Sequence, residues 1–598
     1  MWFKPILLLF SCLLWRSDGA VHCPHQCECD LIPPTNHSWA VYCHKGAIND
    51  SIFADILNRL PLTLRSLDIQ APEWRKPSKF RWNDNINRFA QLRVLRIVGC
   101  GIPAMSRTIR LPSLEVLDLR GNDIDHATMS NFGGMPALRV LDLSDNRLSI
   151  LPTGVFTYLR SLRSLSLTNN SITELSTNLL RGLATLRVLH IDHNHIPTKQ
   201  INDLFSDVPQ LEELYLNHCY LPSIQNISLD RVPQLRRLGL AGNNLKLVPT
   251  REIQKLPYLA VLDLSFNDVQ EVGPCAFCAN NLTKLDLSHN LLGLSKIPFH
   301  TDAFRNIPLR DIDLGYNHMN EFDSQWLGWA QEHLHTLSLS GNFLKDFRTE
   351  FTHTLHSLVQ LHMADNDITE LPYTFPVEYQ FLRTLNISGN RIYNFPDNIV
   401  YSLPEVKELD ISRNHFTALS QLGVSFLAGI DRVHLTKNPW DCGCHVQNLQ
   451  NHMRNRHAMR HILDYQNVRC AEPRLVEGQP VMSINEMNDC AVLFGARYGL
   501  TQSSELLLLL AGLLCAAFAL SLILACFYCI REKQYKGSYV TREHSRTPLT
   551  MAQSCASSQG HHDPYSIDGL EPISDCLSAS PPLIPPAPPK SAAAYFGI

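Results

Sequence analysis

Along most of the chain the apolar positions recur in one phrase: an apolar residue, two variable positions, an apolar residue, one variable position, an apolar residue, two variable positions, then asparagine. The phrase reads LEVLDLRGN from residue 114, LRVLDLSDN from 138, LRSLSLTNN from 162, LRVLHIDHN from 186, LRRLGLAGN from 235 and LAVLDLSFN from 259. Later copies are LTKLDLSHN, LRDIDLGYN, LHTLSLSGN, LVQLHMADN, LRTLNISGN and VKELDISRN. The last position of the phrase falls at 100, 122, 146, 170, 194, 219, 243, 267, 290, 317, 342, 366, 390, 414 and 438, most steps being 24 residues. Two apolar residues flanking one variable residue place their side chains on one face of a short strand. No single strand of this length buries that face alone, so the pattern predicts strands stacked in parallel, their apolar faces merged into one core.

The asparagine turns the chain inward after each strand, and its amide donates to and accepts from backbone groups of neighbouring repeats that would otherwise be buried unpaired. Positions 100 and 219 hold Cys instead, read as buried free thiols. The segments between strands, such as LPTGVFTYL from 151 and LPYTFPVEYQFL from 371, carry prolines and aromatics suited to an irregular convex side. Phe156, Phe205, Phe277, Phe304 and Phe375 are expected to form part of a second internal stack there. A phrase of this kind at this period is the mark of the leucine-rich repeat. The predicted fold is an α/β solenoid, a leucine-rich-repeat horseshoe with about 14–15 repeats over residues 61–437.

A solenoid exposes its core at both ends and needs capping units. Cysteines gather at both: Cys23, Cys27, Cys29 and Cys43 before the first repeat, and Cys442, Cys444, Cys470 and Cys490 after NPW near residue 440. Spacing alone leaves three pairings open in each cluster. With these flanks the chain resembles the ectodomains of extracellular leucine-rich-repeat membrane proteins of the Slit, Toll-receptor, capricious/tartan and trophoblast-glycoprotein type. The resemblance implies disulfides Cys23 to Cys29, Cys27 to Cys43, Cys442 to Cys470 and Cys444 to Cys490, with a cap over residues 20–60 and another over 438–492. Cys275 and Cys278, in GPCAFCANN, depart from the plain repeat, and their pairing stays open.

The 598 residues carry 52 basic and 56 acidic side chains, a balance that gives no whole-chain attraction to nucleic acid. Residues 1–19 place Lys4 ahead of a short apolar run and end in small residues, the layout of a secretory signal rather than a membrane anchor. Residues 506–530 form the long charge-free apolar run, spanning ~37 Å as a helix, and basic residues from Arg531 follow at once. The expected protein is thus a single-pass, type I plasma-membrane protein with a linker at 493–505 and a disordered tail at 531–598. The tail holds Pro585, Pro588 and Lys590 in a polyproline phrase, and ends Tyr595, Phe596, Gly597, Ile598. The first suits SH3 docking; the second resembles both a PDZ-binding terminus and a tyrosine-based sorting signal.

Six N-x-S/T sequons occur, at Asn36, Asn49, Asn169, Asn226, Asn281 and Asn386. Asn386 lies between two core positions, so its side chain is expected on the concave sheet; Asn169 falls near the edge of that sheet. Between them the exposed strand positions hold Arg187, His190, Asp192, His193, Glu212, Glu213, Tyr215, Asn217, His218, Arg236 and Arg237. That mixture of charges around one aromatic suits a protein partner; polar residues that merely solvate a sheet are the alternative. No metal site, cofactor motif or catalytic motif emerges, and an enzyme is not expected. Function is read as an adhesion or recognition receptor for a protein ligand, homophilic binding included. A coreceptor or decoy, and recognition of microbial molecules, stand as alternatives.

Overall fold

The computed structural model describes residues 23–32, 38–176, 178–196, 204–347, 354–443, 446–455, 458–484 and 502–534. The signal segment, Asn36, Cys444, Cys490 and the tail from residue 535 onward, with its docking motifs, lie outside them; residues 531–534, expected in the tail, continue the helix Gln502–Gln534. The described chain falls into two compact units, residues 1–501 and 502–598.

The first unit is a leucine-rich-repeat solenoid built on one eighteen-stranded sheet. Its outer strand, Glu28–Leu31, pairs antiparallel with Trp39–Cys43, and every later pairing along the sheet is parallel, to Arg432–His434. The leucines stay in register: Leu165, Leu189, Leu214, Leu238 and Leu262 sit side by side on successive strands and are all buried. Phe156, Phe205, Phe277, Phe304 and Phe375 are buried behind them, with Phe277 and Phe304 stacked at 5.6 Å. Short helical turns occupy the convex side, and the longest there, Ser324–His333, breaks at Gly328.

What joins one repeat to the next is the asparagine ladder. Asn194 Nδ2 donates to the carbonyls of Leu167, Ile191 and Asp192 at 3.0, 2.9 and 3.1 Å, and its Oδ1 accepts the Ile172 N–H at 3.1 Å. Asn146, Asn243, Asn267, Asn290 and Asn390 repeat this set within two-tenths of an ångström or so. At Cys219 the thiol donates to the carbonyls of Ile191 and Asn217, and the next asparagine, Asn243, takes the Cys219 and Leu221 N–H groups on its Oδ1. Burial pushes the Cys100 and Cys219 thiols up to about 12, so both remain protonated donors at neutral pH.

Turning inward requires one further residue. The position before each ladder residue takes the left-handed conformation, from Asp145 and Asn169 at φ 54° and 51° through His193, His218, Phe266, His289 and Tyr316 to Arg413 at 55°. Its N–H reaches the next repeat, as from His193 to the Asn217 carbonyl at 2.8 Å. Glycine holds this position at 121, 242, 341 and 389, where the conformation costs it nothing.

The ends are closed differently. Cys23 is bonded to Cys29 and Cys27 to Cys43 beside the antiparallel strand; Cys442 is bonded to Cys470. The fully buried Trp440 donates from Nε1 to the Leu435 carbonyl, while Asp464 accepts the N–H groups of Leu435 and Thr436. Cys275 and Cys278 are also bonded to each other. The second unit contains the helix Gln502–Gln534, whose segment Leu510–Tyr528 has a mean hydropathy of 2.5 and is long and apolar enough to cross a membrane.

Replacing Asn290 tests the ladder. Asn290→Ala leaves the buried Val269 N–H and three carbonyls without their partner, and should cost on the order of 3 kcal/mol in denaturant unfolding. Asn290→Cys should cost less, because a thiol in that position still donates to two carbonyls.

Candidate binding surface

The concave face presents the variable positions of the strands, and the eleven residues expected there come together on three consecutive strands, Val188–His190, Glu213–Tyr215 and Arg237–Gly239, and their flanks. They are not equivalent. Arg187 pairs with Glu212, and Arg237 with Glu213 at 3.8 Å, so four of the charges are satisfied along the sheet. Tyr215 donates its hydroxyl to Glu213 at 2.9 Å and stacks on His190 with ring centroids 4.3 Å apart and planes 2° from parallel. Asp192 turns away from solvent: it is buried, its Oδ1 accepting the Asn217 N–H and its Oδ2 the Thr168 hydroxyl, with His190 Nδ1 at 3.4 Å. Asn217 in turn accepts the Ala241 N–H. Both hold the strand ends together and have little left for a ligand.

His193 and His218 stack at 4.4 Å, beside the Tyr215 pair. Both stacks run toward the same repeat, 235–243, which offers Gly239 and Gly242. A Cβ at Gly239 would press on the Tyr215 ring, and one at Gly242 would overlap the His218 imidazole. The two glycines therefore let a half-buried tyrosine and an exposed histidine lie flat; His193, His218 and the three arginines are exposed, and of those arginines Arg236 alone makes no ion pair among the described residues. No group of three or more His, Cys, Asp or Glu side chains is arranged to hold a metal ion among the described residues.

Asn169 is exposed, and its Nδ2 donates to Asp145 Oδ1 at 2.6 Å. Asn386 is the last residue of the strand Thr384–Asn386, with Oδ1 accepting the Ser388 N–H. Its amide nitrogen is left outside that turn. Asn49 caps the helix Asp50–Arg59 through Oδ1, and Asn226 and Asn281 are exposed.

Sequence reasoning confined to the stretch around Tyr215 missed a second cluster three repeats on. There Phe266, His289 and Tyr316 stack at 3.9 and 4.2 Å, and Asp263, Asp286 and Asp313 stand in register on adjacent strands. Aligning the repeats by position, rather than reading them as blocks, would have exposed it: ring-bearing residues replace small ones at the left-handed position. Burial pushes the Asp286 carboxyl above the usual range, Ser288 hydrogen bonds oppose it, and the charges of Asp313 and Asp263 push the same way.

Residues 112–172, 151–196 and 233–292 match the leucine rich repeat family model. Among curated proteins, Drosophila melanogaster chaoptin is 31% identical over 29% of this chain and 13% of its own length. Macaca fascicularis trophoblast glycoprotein is 25% identical over 46% of this chain and 64% of its own. The chain thus spans under two thirds of these relatives' lengths. A solved leucine-rich-repeat protein of Leptospira interrogans is 23% identical over 67% of this chain and 97% of its own, with a TM-score of 0.48. The chain resembles extracellular leucine-rich-repeat proteins in its repeats.

Asp118 offers a pH test of the crowded carboxylate row. Burial pushes its carboxyl up, against the Arg120 N–H and guanidinium that pull it down. A carboxyl raised in the fold contributes its stability fully below the unfolded value near 3.9 and loses it as pH rises through the folded value. Asp118→Asn keeps the acceptor for Arg120 N–H and should raise the thermal midpoint at pH 7, with the gain disappearing toward pH 4.

Proposed function

We propose that this chain is a single-pass cell-surface recognition or adhesion receptor, its repeats facing the outside and binding a protein partner across the concave sheet. The observation that supports this most is the run of strands between Asn169 and Asn386, where accessible aromatic and charged groups sit on a backbone fixed by the ladder. A surface held rigid before binding loses little freedom on docking. Sugars at Asn169 and Asn386 would border that zone and direct a partner into it. The basic residues after the apolar helix favour a cytoplasmic C-terminal side, and caps closed by disulfides suit an oxidising compartment. In this reading the tail recruits scaffolds through Pro585, Pro588 and Lys590, or through Tyr595, Phe596 and Ile598. The protein binds rather than catalyses.

Displaying residues 20–503 as a multivalent fusion and measuring its binding to cells with and without the full-length protein separates the modes. Attachment only to expressing cells makes the receptor homophilic, and attachment to both makes it heterophilic. In either case the double variant Tyr215→Ala/Arg236→Glu should weaken attachment by about tenfold or more, the scale of a central aromatic anchor. Attachment equal to wild type would place the partner elsewhere.

A further inference from the structure

The left-handed position runs as a row along one edge of the concave sheet. Toward the C-terminal end it holds Asp365, Gly389, Arg413 and Lys437, and toward the N-terminal end Gly121, Asp145 and Asn169. Between these it holds rings. Bulky residues are disfavoured in this conformation, so their presence calls for a reason that packing does not supply. Phe266 is 52% exposed and Tyr316 45%; neither is a core residue. Phe266 lies 3.9 Å from His289 at 10° and His289 lies 4.2 Å from Tyr316 at 7°, and the run ends over Gly341, where a Cβ would collide with the Tyr316 ring. No ring contact joins Phe266 back to His218 among the described residues. One face of Phe266 is covered by His289.

The same three repeats set Asp263, Asp286 and Asp313 side by side at the strand ends. Each Oδ1 accepts only from its own turn: the N–H and hydroxyl of Ser265, those of Ser288, and the N–H of Gly315. Many acids elsewhere on this face are matched with bases: Asp68 with Arg96, Glu115 with Arg93, Glu213 with Arg237, Asp365 with Arg413, Glu408 with Arg432. Asp142 and Asp410, at the same repeat position, also bond only to their own turns, but each stands without an acidic neighbour pair on both adjoining strands. Asp263, Asp286 and Asp313 form no ion pair with any described residue. Asp286 and Asp313 share a hollow with Lys284 and His362, yet none of the three aspartates is ion-paired among the described residues; three such neighbouring carboxylates beside a ring stack form a surface whose missing complement is positive and flat.

We propose that the strip made by Asp263, Asp286 and Asp313 beside Phe266, His289 and Tyr316 binds an arginine-bearing extended segment of a protein partner. Arginine meets both halves of the strip, because its planar guanidinium stacks on an aromatic face and pairs bidentately with a carboxylate. Neighbouring strands lie ~4.8 Å apart, so the three aspartates span ~9.6 Å. Alternate side chains of an extended segment lie ~6.7 Å apart on one face, so two arginines in Arg-x-Arg spacing fit within that span. The proposal rests on the concave face being the recognition surface, and it names the chemistry of the partner that this face takes.

The test uses the full-length protein in lipid nanodiscs and four probes: an acetylated Gly-Arg-Gly-Arg-Gly peptide, its lysine and citrulline counterparts, and spermine. The expected result is saturable binding of the arginine peptide, weaker binding of the lysine peptide, and none of the citrulline peptide. Phe266→Asn/Tyr316→Asn, which places a residue already used at this position by Asn169, should weaken the arginine peptide about tenfold without lowering the thermal midpoint. Asp263→Ala/Asp313→Asn should abolish its binding. Absence of saturable binding to the wild type, or equal binding of the arginine peptide to wild type and ring variant, overturns the proposal. So does spermine binding as tightly as the peptide, which would mark a general acidic patch. If the ring variant loses the peptide while Tyr215→Ala/Arg236→Glu leaves cell attachment intact, the strip stands and the recognition zone around Tyr215 falls. The reverse pattern removes the strip alone.

Discussion

Everything on this surface depends on a side chain buried beneath it. Each ladder asparagine closes two or three carbonyls and one or two N–H groups where one repeat meets the next; Asn194 takes the Leu167 carbonyl and the Ile172 N–H of the preceding repeat together with the Ile191 and Asp192 carbonyls of its own. Buried backbone groups left open at that boundary would each cost about 1–3 kcal/mol. The leucines supply the larger share of the driving force through burial, but burial has no direction, and many arrangements of leucine strands would satisfy it. The asparagine selects one: parallel, in register, with a fixed step to the next strand. At Cys219 the thiol keeps the donor role, toward the carbonyls of Ile191 and Asn217, and its own N–H is taken by Asn243 Oδ1.

From that constraint follows the row of left-handed residues, and from the row follows the character of the proposed binding edge. An inward turn needs one residue at positive φ per repeat, and whatever side chain stands there points along the sheet edge beside its neighbours in the next repeats. A chain that wanted only stability would use glycine, as at 242 and 341, or asparagine, as at 169. Instead Phe266, His289 and Tyr316 occupy it, the outer two exposed and the histidine half-buried between them. The glycines that follow them accommodate the last ring of each stack. Framework and recognition are in this way separated by position within the repeat: ladder and leucine positions are nearly invariant along the chain, and the neighbouring positions vary freely.

That separation also explains what could be read from sequence. The solenoid was legible because a 24-residue period repeated so often leaves no other arrangement for the leucines. The convex phenylalanines and both buried thiols followed from the same spacing. Asp192 was harder: it occupies a position where many other repeats have Ser, Thr or Asn, and only the folded arrangement shows its carboxylate turned to Thr168 and Asn217 rather than outward. The pairings along the face, Arg187 with Glu212 and Arg237 with Glu213, were equally hidden, since they depend on which rotamer reaches across a strand. The acidic and aromatic strip was present in the letters as D-x-x-F, D-x-x-H and D-x-x-Y in three adjacent repeats. It was overlooked because each letter is unremarked alone and acquires meaning only when the three repeats are placed side by side.

A transplanted sugar tests the recognition surface most directly. Asp263→Asn completes an N-x-S sequon with Leu264 and Ser265, in the same register as the native sequon of Asn386, Ile387 and Ser388. Asp142→Asn completes one with Leu143 and Ser144, outside the zone bounded by Asn169 and Asn386. Both change one aspartate on the same face at the same position of the repeat, and differ only in place. With each variant confirmed as glycosylated, attachment of the displayed repeats to cells should be lost with the sugar at 263 and retained with the sugar at 142. Attachment retained with a sugar at 263 would contradict the account, because a glycan standing in the middle of the concave sheet cannot share that surface with a protein.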